Sequence, residues 1–122
     1  MTGQEGEEIA AAFLEKRGYR LVARNVRMAR GEIDIIAYDG ETLVFVEVKA
    51  RSRRKAEAPF SAASAVDHRK QMQLARTAMK YLAQTETTVP CRFDVVVVDR
   101  HARGVACALF QNAFEPPEIS DS

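Results

Sequence analysis

Two acids and a lysine on neighbouring apolar segments are the residues of this sequence whose types and spacing best suit chemistry. Glu47 and Lys49 follow the apolar segment 42–46 and are two residues apart. Because successive side chains of a strand point to opposite faces, both of them lie on one face. Asp34 lies in the preceding apolar segment. Two carboxylates and an amine in this arrangement are the groups needed to cleave a phosphodiester with Mg²⁺.

The predicted chemistry gives each of these residues a role. Asp34 and Glu47 would bind Mg²⁺, with Mn²⁺ as a substitute, and the backbone carbonyl of Val48 would add a ligand, because Mg²⁺ prefers oxygen. Such an ion lowers the pKa of an attacking water molecule. Lys49 would orient that water or neutralise charge on the phosphate oxygens in the transition state.

A third acid, Glu7, lies on a predicted amphipathic helix. Positions 7, 10, 11 and 14 share one face of an ideal helix, so Glu7 lies on the apolar side with Ala10 and Leu14. Two interpretations of Glu7 stay open: a metal ligand, or an acid that stabilises the helix N-terminus through the macrodipole. Two interpretations of Glu32 also stay open: contact with the metal, or exposure to solvent.

Hydrophobic periodicity and turn residues predict the elements that must position these side chains. They are a helix over residues 4–17, strands over 19–28, 32–38 and 42–50, a loop over 51–65, a helix from the N-cap Asp67 to about Ala83, and strands over 91–99 and 104–110. The four consecutive valines at 95–98 predict burial on both faces of their strand. This order predicts an α/β fold, with a mixed central sheet flanked by two helices and an extra C-terminal strand near an edge.

A hairpin would bring the two acids of the strands together. Asp39-Gly40 is a strong turn signal between segments 32–38 and 42–50. With this turn, Asp34 falls near the region from Val44 to Glu47 on the paired strand. The register stays open by one residue, and a slip of one would turn Asp34 to the other face.

Length and composition predict a single domain. The chain has 122 residues, of which 47% are hydrophobic and 29% charged, as in ordinary globular proteins. We expect one domain over residues 1–114 and a flexible tail over 115–122. The apolar runs are too short to span a bilayer, and residues 1–5 lack an export signal, so we expect a cytoplasmic protein without a membrane partner.

The cysteines and histidines argue against a zinc site. The chain has two of each and no CxxC motif. Cys91 and Cys107 occur in separate apolar strands, and we expect two reduced, buried thiols.

Local basic clusters, rather than the net charge of +1, carry the prediction of a nucleic-acid partner. Their members lie directly after Lys49, in an Arg-Asn-Val-Arg segment and in the first turn of the second helix. A cation in a first helical turn is unfavourable by the macrodipole, which indicates an anion partner there. The alternative for each is a solvated surface residue. The residues predicted to contact phosphates are Arg24, Arg27, Arg51, Arg53, Arg54 and Lys70.

Several short segments, spread from Gly6 to about Phe114, together form a specific pattern. They are Gly6-Glu7-Glu8-Ile9-Ala10, Gly18-Tyr19, Arg24-Asn25-Val26-Arg27, Gly31-Glu32-Ile33-Asp34, Phe45-Val46-Glu47-Val48-Lys49-Ala50-Arg51, Lys70 and Arg92-Phe93-Asp94-Val95. In this order they resemble the YraN-type family of small bacterial proteins. That family is similar to the PD-(D/E)XK nuclease superfamily, and most of all to archaeal Holliday-junction resolvases.

The resemblance implies a restriction-endonuclease-like αβββαβ core and a Mg²⁺-dependent DNA endonuclease, acting on branched or otherwise non-standard DNA. It implies that Asp34 is the first metal-binding acid, Glu47 the second and Lys49 the catalytic lysine. Glu7 matches the glutamate of the first helix in the resolvase-like branch, and Ile33 replaces the proline that names the motif. By analogy, an enzyme that cuts junctions would be a two-fold homodimer.

Two other hypotheses stay open at the level of the sequence. The first is a nucleic-acid binding module on a nuclease scaffold with little or no cleavage, since a fold does not imply an activity. The second is an accessory protein whose acids form only ion pairs, for which the near-neutral net charge is the main support.

Overall fold

In the part of the chain that the structure describes, a five-stranded sheet with one helix packed on each face forms the centre. The computed structural model describes residues 3–28, 30–52 and 66–116. The elements are α1 (Gly3–Lys16), β1 (Arg20–Met28), β2 (Gly31–Asp39), β3 (Thr42–Ser52), α2 (His68–Gln84), β4 (Cys91–His101) and β5 (Gly104–Phe110). This confirms the predicted α/β fold with its extra C-terminal strand. The predicted loop over 51–65 lies outside the described residues from 53 onward, as does the predicted tail from 117 onward.

The sheet is mixed, with strand order β1-β2-β3-β4-β5. β3 and β4 pair in parallel, and the other three pairs are antiparallel. The predicted hairpin of β2 and β3 is confirmed, although Asp39 pairs with Thr42, so that Gly40 and Glu41 form its turn. Gly40 has a φ of 60°, a left-handed conformation that glycine adopts without strain.

Two apolar cores lie on opposite faces of the sheet. Ala10 and Leu14 of α1 pack on one face, and Leu74 and Ala78 of α2 pack on the other. The four valines at 95–98 are buried and alternate between the two cores, which confirms their predicted burial on both faces. Asp67 caps α2 as predicted, since its carboxylate accepts a hydrogen bond from the backbone N–H of Lys70 at 2.8 Å.

A buried ionic network lies on the sheet face that α1 covers and links Asp94 and Arg92 of β4 to residues of other segments. Asp94 is fully buried and accepts hydrogen bonds from the hydroxyl of Tyr19 at 2.8 Å and the backbone N–H of Asn112 at 2.9 Å. Arg92 donates to Asp94 at 3.0 Å and to Asp39 at 2.6 Å. A buried carboxylate is costly unless it is paired in this way, so these hydrogen bonds compensate the burial of Asp94.

The cysteine prediction needs a correction. Both thiols are free, as expected, but Cys91 is exposed and Cys107 is half-buried. Cys91 is the first residue of β4, and Cys107 belongs to the edge strand β5, where it pairs with Val98. Their positions at an element end and a sheet edge explain why apolar sequence neighbours do not bury them.

Neither α1 nor α2 has the length and apolarity that a bilayer-crossing helix requires.

Candidate metal centre

Asp34 lies where β2 and β3 stop pairing. The antiparallel ladder runs from Asp39↔Thr42 to Ile35↔Val46, whereas β3 continues beside β4 as far as Ser52. The carboxylate of Asp34 accepts a hydrogen bond from the backbone N–H of Val48 at 2.8 Å. A side chain of β2 therefore takes the place of a backbone acceptor, and this holds Asp34 beside the segment that carries Glu47.

The alternation of side chains in β2 breaks at Asp34. Ile33 belongs to the core under α2, whereas Ile35 belongs to the core under α1, although residues two apart in a regular strand share a face. On the neighbouring strand, Asn25 has a φ of 52° and falls between the pairs Arg24↔Ile35 and Val26↔Ile33. Both strands are therefore irregular beside Asp34.

Glu47 and Lys49 share the face of the sheet that α2 covers. Val46 and Val48, which alternate with them, pack in the core under α1. Glu47 is only 6% exposed, and its Oε2 lies 3.4 Å from Nζ of Lys70 on α2. That contact is an ion pair, and among the described residues Oε2 of Glu47 has no hydrogen-bond partner.

The pKa of Glu47 is raised to about 8. Burial is the largest cause, because it disfavours the charged carboxylate. A hydrogen bond with Asp34 and repulsion by its charge add to the rise, while the ammonium groups of Lys70 and Lys49 lower the pKa in part. Glu47 and Asp34 are thus direct neighbours at this centre.

Glu7 reaches the same centre from α1, and Gly6 makes this possible. A Cβ on Gly6 would lie 2.7 Å from the Cβ of Ala50 on β3, so only glycine lets the first turns of α1 approach the sheet here. The pKa of Glu7 is raised, first by burial and then by the charges of Asp34 and Glu32. Its Oε1 is buried and has no hydrogen-bond partner among the described residues.

The carboxylates form a cluster suited to a divalent cation. One oxygen from each of Glu7, Glu32 and Asp34 lies within 4.8 Å of the other two, and Glu47 borders the cluster through Asp34. Buried carboxylate oxygens without hydrogen bonds, on Glu7 and Glu47, are costly unless a cation or proton compensates them. An all-oxygen donor set of this kind fits Mg²⁺ or Mn²⁺.

Comparison with known proteins identifies the family. The model of the uncharacterised protein family UPF0102 matches residues 6–98, which include every acid of the cluster as well as Glu47, Lys49 and Lys70. The chain belongs to the UPF0102 family. This confirms the resemblance to YraN-type proteins.

Curated UPF0102 proteins are similar to this chain over most of its length. One from Symbiobacterium thermophilum is 52% identical over 114 residues, covering 92% of this chain and 94% of its own. One from Chlorobaculum tepidum is 50% identical over 97 residues, covering 79% and 73%. One from Magnetococcus marinus is 42% identical over 115 residues, covering 93% and 90%.

The basic residues predicted to contact phosphates have different surroundings in this UPF0102 protein. Arg24 is exposed beside Glu7, and the side chain of Arg27 is 81% exposed and lies 3.6 Å from Glu32. Arg51 forms an ion pair with Asp99 of β4. Arg53 and Arg54 lie outside the described residues.

The structure of the UPF0102 centre decides two points that the sequence left open. Glu32 is half-buried and joins the cluster, although its spacing of two residues from Asp34 was the only signal for it. The anion that Lys70 contacts is the carboxylate of Glu47. The unfavourable position of Lys70 in the first turn of α2 predicted an anionic partner, but the sequence did not indicate which anion.

Proposed function

We propose that this UPF0102 protein is a Mg²⁺-dependent DNA endonuclease of the PD-(D/E)XK type. The observation that carries the proposal is the position of Asp34, whose carboxylate is held by the N–H of Val48 at 2.8 Å and meets Glu7 and Glu32 on one side and Glu47 on the other. Acids from α1 and β2 thus meet at Asp34, and Glu47 of β3 borders them there, with the amine of Lys49 close to Glu47. The proposal includes a cytoplasmic location for the protein.

The residues that would hold the ion are Asp34 and Glu47, with Glu7 and the carbonyl of Val48 as further ligands and Glu32 beside them. When bound, a divalent ion polarises the phosphate and lowers the pKa of a water ligand. Glu47 must lose its proton before it can be a ligand, and the ammonium groups of Lys49 and Lys70 favour that loss. Lys49 would then orient the attacking water or neutralise the phosphate oxygens.

The proposed substrate is branched or otherwise non-standard DNA, contacted mainly at phosphates. Among the predicted contacts, Arg24 and Arg27 are exposed in β1 near the carboxylate cluster, so they can reach a backbone that enters the centre. Phosphate contacts position a nucleic acid without reading its bases. Binding should therefore weaken steeply with salt and depend little on sequence.

One observation favours the second candidate, a DNA-binding module with little or no cleavage. The carboxyl group of Glu47 lies 3.4 Å from Nζ of Lys70, and its pKa of about 8 keeps most of the population protonated at pH 7 when no metal is bound. A protonated or fully paired Glu47 is a poor ligand for a metal ion. Binding without cleavage would then be the remaining activity of the scaffold.

A cleavage assay separates the two candidates. Branched, nicked and linear DNA would be incubated with Mg²⁺ or Mn²⁺ and the wild type, Glu47→Gln, Lys49→Gln or Glu41→Gln, the last being an exposed acid in the β2–β3 turn. We expect cleavage by the wild type and the Glu41→Gln control, with a loss of roughly 10²–10³-fold or more in the other two. Cleavage that persists in Glu47→Gln would come from a contaminant, and binding without any cleavage would favour the second candidate.

A crystal soaked in Mn²⁺ tests the geometry without a choice of substrate. We expect anomalous density between Asp34 and Glu47, within reach of Glu7. Density elsewhere, or none in the wild type at millimolar Mn²⁺, would argue against the proposed metal role of these acids.

A further inference from the structure

An open groove runs along α2 and the β1–β2 connection, outside the carboxylate cluster. Its volume is about 1320 Å³, more than the roughly 300–1,000 Å³ of typical small-molecule pockets. Among the described residues, six basic side chains line it: Arg30, His68, Arg69, Lys70, Arg76 and Lys80. Asp67, the one carboxylate among these described lining residues, is engaged as the N-cap of α2.

Three of these cations form a regular stripe on α2. Arg69, Arg76 and Lys80 are exposed, and with Gln73 they follow the spacing i, i+4, i+7 and i+11 of one helix face. Across the described ranges 3–28, 30–52 and 66–116, none of the three forms an ion pair, and neither does Arg30. Unpaired cations on one face repel one another, so an anionic ligand would stabilise the arrangement.

The wall of the groove opposite the stripe is held firmly against α2. Gln73 donates a hydrogen bond to the backbone carbonyl of Arg30 at 2.9 Å. A Cβ on Gly31 would lie 2.1 Å from Oγ1 of Thr77. The backbone at the start of β2 therefore packs directly against α2 at this point. The backbone of Arg30 is therefore held beside the stripe, and the four cations line one groove.

The stripe begins beside the candidate metal centre. Lys70, next to Arg69, forms the ion pair with Glu47. From Arg69 to Lys80 the helix rises about 16 Å, which matches the axial length of roughly five phosphate-to-phosphate steps in one strand of a duplex. A ligand along the stripe would thus be extended, repeatedly anionic and directed from the metal centre along α2.

We infer that Arg30, Arg69, Arg76 and Lys80 bind the sugar-phosphate backbone of duplex DNA and position it relative to the metal centre. This inference rests on the proposed function and adds the surface along which the substrate lies. Its site differs from the one predicted from Arg24, Arg27 and the segment after Lys49. It also explains how a chain with a net charge of +1 can bind a polyanion, because the positive charge is concentrated on one face.

The test is DNA binding measured without cleavage. A fluorescent 30-base-pair duplex would be titrated in EDTA with the wild type, Arg76→Gln/Lys80→Gln, and the matched control Lys16→Gln/Arg17→Gln, whose residues are exposed at the C-terminal end of α1. Anisotropy would be followed as a function of salt. We expect the stripe variant to bind roughly tenfold more weakly for each charge removed, and the slope of log K against log salt to fall by about 2.

The outcomes separate this inference from the proposed function. Equal binding and equal salt slopes in the stripe variant and the control would overturn the inference, whether or not the wild type cleaves DNA, as would failure of the wild type to bind the duplex at low salt. Loss of binding in the stripe variant, together with no metal binding or cleavage by the wild type, would keep the DNA-binding role of the stripe but remove the nuclease and the positioning at a metal centre. Poly-glutamate would be compared with unlabelled DNA, at equal total charge, as a competitor for the labelled duplex. Equal displacement by the two competitors would assign the stripe to an acidic protein and overturn the inference.

Discussion

Nζ of Lys70 on α2 lies 3.4 Å from Oε2 of Glu47 on β3, so a helix on one face of the sheet supplies a counter-charge to the buried acid of the candidate metal centre. The two residues are 23 positions apart, and no local pattern connects them. Since Glu47 is buried and has no hydrogen bond to this oxygen from the described residues, the ammonium group compensates a charge that burial disfavours.

Replacing Lys70 should raise the pKa of Glu47 further. The Lys70→Gln variant removes a charge that lowers this pKa, so the midpoint of the Glu47 titration should move to higher pH. Carbon-13 NMR of the Glu47 carboxyl group in the metal-free protein measures the shift directly. Lys80→Gln removes the same charge from an exposed position of the same helix and should leave the midpoint unchanged. An unchanged or lower midpoint in Lys70→Gln would contradict the ion pair.

The stability of the metal-free protein should fall as the pH rises from about 5 to about 8. The pKa of Glu47 lies at about 8 in the folded protein, against an ordinary value of 4.5. Between these values the folded state holds a proton that the unfolded state has lost, so the free energy of unfolding decreases with pH, by at most about 1.4 kcal/mol per pH unit for one group. Urea unfolding at several pH values measures the slope. The Glu47→Gln variant cannot ionise here and should show a flatter profile, whereas an identical slope in both proteins would contradict the raised pKa.

The affinity for Mn²⁺ should change with pH in the opposite direction. A metal ion needs the carboxylate form of Glu47, so binding must release a proton and should tighten between about pH 6 and pH 8. Calorimetric titrations in buffers of different ionisation enthalpy measure both the affinity and the released protons. Glu47→Gln should bind at least about tenfold more weakly without this pH dependence, while the exposed Glu41→Gln should behave as the wild type. Proton release that is unchanged in Glu47→Gln would assign it to another group.

A methyl group at Gly6 should separate α1 from the sheet. The Cβ of Gly6→Ala would lie 2.7 Å from the Cβ of Ala50, so the helix must move and carry Glu7 away from Asp34. We expect a loss of about 1–3 kcal/mol in the free energy of unfolding and weaker Mn²⁺ binding. Gly3→Ala, in the same helix but with no atom within 4 Å of its Cβ, is the matched control and should lose neither. A variant Gly6→Ala as stable as the control would show that α1 is not held against β3 at this point.

The sequence by itself determined the elements and the faces of several residues. The N-cap Asp67, the double burial of Val95–Val98 and the apolar side of α1 that carries Glu7 all follow from patterns within a few residues. Side-chain direction repeats every 2 or 3.6 residues, so such patterns can be read locally. The hairpin also placed Asp34 near Glu47, to within the one-residue uncertainty of its register.

Only the tertiary structure decided which residues contact one another at the candidate metal centre. The broken alternation at Asp34, the contact of Lys70 with Glu47 and the entry of Glu32 into the cluster depend on where β2 leaves β3 and where two helices pack on the sheet. The exposure of Cys91 depends in the same way on the place of its strand end in the sheet. These are contacts between residues far apart in the chain, and their free energy depends on packing and desolvation that no local spacing encodes.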